Sequence, residues 1–174
     1  MMKIIKQWRK DKYNVLLMDV ILVMLVLVSF SWWQNKDSLS AEGQIAPDFT
    51  LTALDQSVYQ LSRYRGREVL VYFFAPWCSI CRLSADNLNN LRAVRSDDNL
   101  MIMMVALSYE HVDEVRTFVD DLNLQVPVLL GTKQQLTDYQ IIGFPTYYVI
   151  DSQGKLQSKS IGYSTELGMR VRTW

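Results

Sequence analysis

From residue 48 onward, apolar positions alternate with polar ones, run on unbroken, or recur every third or fourth residue, and each rhythm predicts an element. DFTLTALDQSVYQLS (48–62) alternates around Asp55-Gln56 and predicts a β-hairpin. REVLVYFFA (67–75) and NLMIMMVALS (99–108) are continuous apolar runs rich in β-formers, the pattern of strands covered on both faces. From Ser79 to about Val94 the apolar residues Ile80, Leu83, Leu88, Leu91 and Val94 fall at helical spacing. HVDEVRTFVDDL (111–122) predicts an amphipathic helix with Val112, Val115, Phe118, Val119 and Leu122 inward. VPVLLG is a short extended piece, TKQQLTDYQ a short helix, PTYYVI (145–150) a strand, Asp151 to Gly154 a turn, and KLQSKSIGY another strand. Ser164 or Thr165 is placed to cap a last helix running to Trp174. Strand, helix, strand, helix, strand pair and terminal helix make an α/β domain with a central mixed sheet flanked by helices.

The N-terminal third has a different rhythm. VLLMDVILVMLVLVSFSWW (15–33) is apolar or small-polar apart from Asp19, and as a helix it would rise about 28 Å, close to the thickness of a bilayer's hydrocarbon core. Lys3, Lys6, Arg9, Lys10 and Lys12 precede it and only Lys36 follows closely, so the positive-inside rule leaves the N-terminus in the cytoplasm. Trp32 and Trp33 suit the outer interface, Trp8 the inner surface, and Asp19 is tolerable near an end. The predicted organisation is a cytoplasmic basic segment (1–14), a transmembrane anchor contacting the lipid bilayer (15–34), a polar linker (35–46) and a folded domain (47–174). A cleaved signal, with Ser38-Leu39-Ser40 before Ala41, and a buried core helix are the alternatives; the length of the run and its basic flank favour the uncleaved anchor.

Composition narrows the partners. Formal net charge is zero and no long basic run follows residue 12, which argues against nucleic acid. The chain has two cysteines, Cys78 and Cys81, in FFAPWCSICRLS (73–84). A disulfide between them closes too small a loop to stabilise the fold much, so the pair points to redox chemistry, metal binding or accident. Tetrahedral zinc needs four ligands, and His111 is the single histidine. Two thiolates can hold Cu(I), but Met101, Met103 and Met104 of LMIMM are read as core, because neighbours on a strand face opposite ways. His111 is read as a solvated first-turn residue rather than a base. Asp113, Glu114, Asp120 and Asp121 are read as a solvated face. Of Tyr147 and Tyr148, one is expected in the core and the other in the groove near Pro145.

Cys78 falls where a buried strand gives way to a helix, facing the unpaired N–H groups of the first turn, and a thiolate is favoured there. Cys81 is one turn on, close enough to attack a mixed disulfide at Cys78. Arg82 adds positive field, and Pro76 and Trp77 hold the turn and form an apolar rim. This is the arrangement of a dithiol–disulfide exchanger.

VLVYFFAPWCSIC, followed by GFPTYYVID and a Gly-Lys turn, resembles the thioredoxin superfamily. The apolar N-terminal run and the lead-in APDFTLTALDQSVYQLSRYRG narrow the resemblance to its tethered TlpA-like and ResA-like branch. The ending IGYSTELGMRVRTW looks most like the membrane-anchored copper-sensitivity-suppressor D type, and the resemblance covers residues 8 to 174. It implies that Cys78 is the nucleophile, Cys81 the resolving cysteine, and Cys78-Cys81 a redox-active disulfide. It implies further that Pro145 is a cis-proline whose neighbour Phe144 offers its backbone to an extended substrate, with Thr146 following in the strand. The chain departs from the pattern at two places. Tyr72 stands where thioredoxins often have a buried acid, and Ser84 where TlpA-like relatives often have Glu, which leaves the proton-transfer partner of Cys81 open between Tyr72 and water. Ser79-Ile80 replaces the Gly-Pro that tunes the reduction potential in thioredoxin.

The expected function is a protein-disulfide oxidoreductase held at the bacterial inner membrane with its catalytic domain in the periplasm. It acts as a reductase, needs no cofactor, and is re-reduced by a membrane electron-relay protein. Copper tolerance, cytochrome c maturation and general reduction remain open as its purpose. An oxidase of the same fold, a Cu(I)-binding module using the same two sulfurs, and a tethered binding domain with an idle pair are the competing readings.

Overall fold

The computed structural model describes residues 17–26, 43–96 and 98–173. The chain divides into two units, Met1–Ser38 and Leu39–Trp174. Of the first unit, residues 17–26 are described: they are helical and exposed. Among the described residues no helix is long and apolar enough to cross a membrane. The predicted span 15–34 and linker 35–46 lie largely outside the described residues.

The second unit is built on a five-stranded sheet in the order β5-β4-β3-β6-β7. Its strands are β3 (Glu68–Phe74), β4 (Leu100–Ala106), β5 (Val128–Leu130), β6 (Thr146–Ile150) and β7 (Leu156–Ile161). β3 pairs parallel with β4 and β4 with β5, while β6 runs antiparallel to both β3 and β7. A separate hairpin of β1 (Thr50–Thr52) and β2 (Val58–Gln60) precedes the sheet. Its turn closes without glycine: Gln56 takes φ 70°, and Asp55 Oδ1 accepts from Ser57 N at 2.9 Å, a local bond that favours turns at Asp.

The central strands are buried on both faces, as their unbroken apolar runs require. Their side chains alternate between two cores. Leu70, Tyr72, Phe74, Ile102 and Met104 lie in one core, together with Cys78 and Cys81. Val69, Val71, Phe73, Met101 and Met103 lie in the other, beside Tyr139 and Tyr148. Met103 and Met104 thus face opposite ways, and both fill core. Four helices cover the sheet: α1 (Ser79–Val94), α2 (Val112–Asp121), α3 (Lys133–Asp138) and α4 (Glu166–Arg172). Thr165 caps α4, its Oγ1 accepting from Gly168 N at 3.2 Å.

Two expectations fail at the level of faces, and the apolar spacing along α1 does not trace its buried stripe. The inward stripe of α1 is Cys81, Ser84, Ala85, Leu88 and Leu91, while Ile80, Leu83 and Val94 are exposed. At 100° per residue Leu83 and Val94 fall about 140° and 120° from Leu88 and cannot share its face, while Ile80, on the side of Leu91, is in the exposed first turn. Small residues occupy the stripe where the helix lies against the sheet. Val112 is likewise exposed, because the burying face of α2 is carried by Val115 and Phe118, with Val119 and Leu122 partly covered. Tyr147 and Tyr148 are both fully buried. β6 has a neighbour on each side and a core on each face, so neither side chain reaches a groove.

Candidate active site

Pro76 and Trp77 stop β3 and turn the chain so that Cys78, extended at φ −82° and ψ 110°, is the N-cap of α1. The turn is held by Cys78 N donating to Ala75 O at 3.1 Å and Arg82 N donating to Cys78 O at 3.2 Å. Cys78 Sγ accepts from Cys81 N at 3.2 Å, one of the first-turn donors that a helix leaves unpaired. The two thiols differ in access: Cys78 is 8% exposed and Cys81 0%. Both are free, so the described form is the dithiol.

Cys78 meets the start of β6 from the far side. The Phe144-Pro145 peptide bond is cis, and the Cys78 thiol donates to Phe144 O across 3.7 Å. Thr146 is buried, and its Oγ1 donates to Gly143 O at 2.7 Å, which ties down the loop before the strand. Trp77 is 66% exposed, yet it is fixed at two points. Its Nε1 donates to Ser108 O at 2.8 Å, and its ring stands edge-on to Phe144 with centroids 6.0 Å apart. Ile80, between the two cysteines, is also exposed.

Sequence reasoning gave no sign of Ser108. It follows β4 at φ 54°, and its carbonyl anchors Trp77 from 31 residues along the chain, beyond α1 and β4. No local pattern announces a contact of that range. Arg82 is engaged elsewhere than foreseen, since its guanidinium pairs with Asp121 Oδ2 at 2.9 Å and lies over the Phe118 ring. His111 caps α2: Glu114 Oε1 accepts from His111 N at 3.0 Å and the His111 side chain accepts from the Glu114 amide. It lines an open groove of about 530 Å³ with Trp77, Arg82, Glu114 and Thr117. Ser84 lies buried behind Cys81 and donates to Ser164 O at 3.4 Å. Among the described residues, no group of three or more His, Cys, Asp or Glu side chains is placed to hold a metal ion.

Burial pushes the Cys81 thiol far above its ordinary range, and a hydrogen bond to Cys78 adds to the rise. Folded Cys81 therefore keeps its proton where the unfolded chain begins to lose it, above about pH 8.5. Over that window the native state binds more protons than the unfolded state, so stability falls as pH increases. The reduced chain is expected to lose thermal midpoint between about pH 8.5 and 10 more steeply than a Cys81→Ser variant. Equal slopes in a pH series of melting curves would remove this view of Cys81.

The profile of the AhpC/TSA family matches residues 43–159. The thioredoxin-like protein YneN of Bacillus subtilis (strain 168) is 30% identical over 158 residues, spanning 87% of this chain and 93% of YneN. The thiol-disulfide oxidoreductase ResA of Geobacillus kaustophilus (strain HTA426) is 26% identical over 162 residues, spanning 91% of this chain and 92% of ResA. Among solved structures, a thiol:disulfide interchange protein of the DsbE type from Chlorobium tepidum superposes with a TM-score of 0.68 at 26% identity, covering 76% of this chain and 97% of that one. Fold, motif and relatives agree: the chain belongs to the AhpC/TSA family of thioredoxin-like proteins.

Proposed function

We propose that this chain is a membrane-anchored thiol–disulfide oxidoreductase that reduces disulfides of partner proteins on the extracytoplasmic side. The observation that carries the reading is the pairing of one rim sulfur with one sealed sulfur. Cys78 lies at a helix N-cap beside Phe144 O, and Cys81 is held directly behind it. In the reaction the Cys78 thiolate attacks a partner disulfide and the partner's first thiolate leaves. Cys81 then loses its proton and attacks Cys78 Sγ. A Cys78-Cys81 disulfide forms, the bond to the partner breaks, and two electrons have passed to the partner.

Phe144, Pro145 and Thr146 offer the extended edge on which a substrate segment lies, and Pro76, Trp77 and Ile80 its apolar rim. Ser79 and Ile80 between the sulfurs set the potential. Residues 15–34 anchor the chain with the N-terminus in the cytoplasm, and residues 47–174 form the working domain. A membrane electron-relay protein restores the dithiol. The names of ResA and the DsbE-type protein support the activity, and assignment to the copper-sensitivity-suppressor D type rests on the ending IGYSTELGMRVRTW.

Two measurements on the full chain test the reading. With dithiothreitol it should catalyse reduction of insulin disulfides. Equilibrated against glutathione buffers, its disulfide should be no easier to reduce than the glutathione pool. A potential well above that pool would reverse the direction and make the chain an oxidant.

A further inference from the structure

A groove opens beside the nucleophile on the side away from the cis-proline. Cys78 follows β3. On one side of β3 lies β6, which begins after Phe144-Pro145, and on the other lies β4, which leads to His111. Between Pro76-Trp77 and the first turn of α2 the surface sinks into an open cavity of about 530 Å³, lined also by Arg82, His111, Asp113 and Glu114. It has room for a long side chain, and the exchange steps described above leave it unused.

Two lining residues select a cation. Trp77 has already given its Nε1 proton to Ser108 O, and its ring is set edge-on to Phe144. What a 66% exposed, fixed indole still offers is its π-face, which attracts positive charge. Glu114 Oε1 accepts from His111 N at 3.0 Å, and no Lys or Arg pairs with this carboxylate among the described residues. A carboxylate has acceptor sites to spare after one such bond. The other charges of the groove are matched. Arg82 pairs with Asp121 at 2.9 Å and lies over the Phe118 ring, and Asp113 pairs with Arg116 at 2.7 Å. His111 turns its side chain to the Glu114 amide, and Glu110, exposed one residue earlier, adds a further negative charge.

We infer that this groove receives a lysine or arginine side chain of the partner protein, from within a few residues of the disulfide that Cys78 attacks. The inference rests on the exchange reading above and names the kind of partner it serves. A segment laid along Phe144 crosses Cys78 and runs on past Trp77, advancing about 3.3 Å per residue. The groove therefore meets the residues that flank the partner's cysteine. The stem of a lysine or arginine lies on Pro76 and Trp77, and its charged head pairs with Glu114. An acidic residue at the same place meets Glu114 as a like charge and is turned away. Trp77 and Glu114 thus set which partners dock, while the sulfur chemistry stays with the two cysteines.

The test mixes the reduced full chain in a stopped-flow instrument with peptides whose single cysteine carries a nitrothiobenzoate disulfide. The Cys78 thiolate attacks the peptide sulfur, and the coloured nitrothiobenzoate leaves with the electron pair of the broken bond. The peptides differ only in carrying Lys, Ala or Glu at the positions flanking the cysteine. At low salt the Lys peptide should react about fivefold faster than the Ala peptide, and the Glu peptide more slowly than either. Glu114→Gln should cut the Lys-to-Ala ratio to about twofold, since glutamine still closes the capping box but carries no charge. Asp98→Asn, exposed before β4 at the opposite end of that strand, should keep the wild-type ratio. In the unaltered chain the ratio should shrink as salt rises from about 20 mM to about 500 mM. A ratio near one, a ratio indifferent to salt or to Glu114→Gln, or an equal loss in Asp98→Asn would each overturn the inference. A chain that releases no thiolate from any of the peptides would instead sink the exchange reading itself.

Discussion

Replacing Cys78 by Ser should bring disulfide reduction by the full chain down to the uncatalysed background, a loss on the order of 10³-fold or more. Replacing Cys81 by Ser should have a different effect: the protein still attacks but cannot let go. The asymmetry follows from where the sulfurs are. Cys78 is at the rim between Trp77 and Phe144, and it is the sulfur a partner can meet. Cys81 is fully covered and protonated, so its one accessible target is the sulfur 3.2 Å from its own amide. Cys81→Ser is thus expected to accumulate mixed disulfides with partner proteins, visible as higher-mass bands that reductant removes. Cys78→Ser should accumulate none. Mass spectrometry of the trapped bands would name the substrates. If Cys81→Ser traps nothing from cells in which the wild type is active, the order of attack proposed here is wrong.

The second large effect concerns the helix that carries the pair. Leu88 is 0% exposed and belongs to the stripe of α1 that packs on the sheet, whereas Leu83 is 70% exposed. Leu88→Ala removes buried methyl groups and leaves a cavity under the helix, which should cost about 2–5 kcal/mol in denaturant unfolding. Leu83→Ala should stay within about 0.5 kcal/mol. For a domain whose whole stability is about 5–15 kcal/mol, the first change is a large fraction. Because α1 holds Cys78 at its N-cap, Leu88→Ala should also weaken the difference in access between the two thiols. Equal costs for the two variants would mean that the wrong face of α1 has been assigned to the core.

The contrast between Leu88 and Leu83 also marks how far the sequence was legible. Order and type of the elements could be read because strands buried on both faces need long apolar runs, and 68–74 and 100–106 supply them. The position of Cys78 at a helix start could be read because Pro76 cannot continue the strand ladder. Faces were harder. The stripe of α1 is made of Cys81, Ser84 and Ala85 as much as of leucines, so large apolar residues at helical spacing do not mark it: Ile80, Leu83 and Val94 are exposed. Tyr147 and Tyr148 were divided between core and groove on alternation alone. That rule fails on a strand with a core on each side. The anchoring of Trp77 by Ser108 O is a long-range fact. It depends on what the rest of the fold brings within reach of a side chain.

The central claim is that one sulfur reacts first and the other waits. It can be tested on the reduced full chain with less than one equivalent of iodoacetamide at neutral pH. Digestion with trypsin yields the fragment 68–82, which contains both cysteines, and its fragmentation spectrum locates the label. The account predicts the label on Cys78 with Cys81 unmodified; a label on Cys81, or one shared equally between the two, would contradict it.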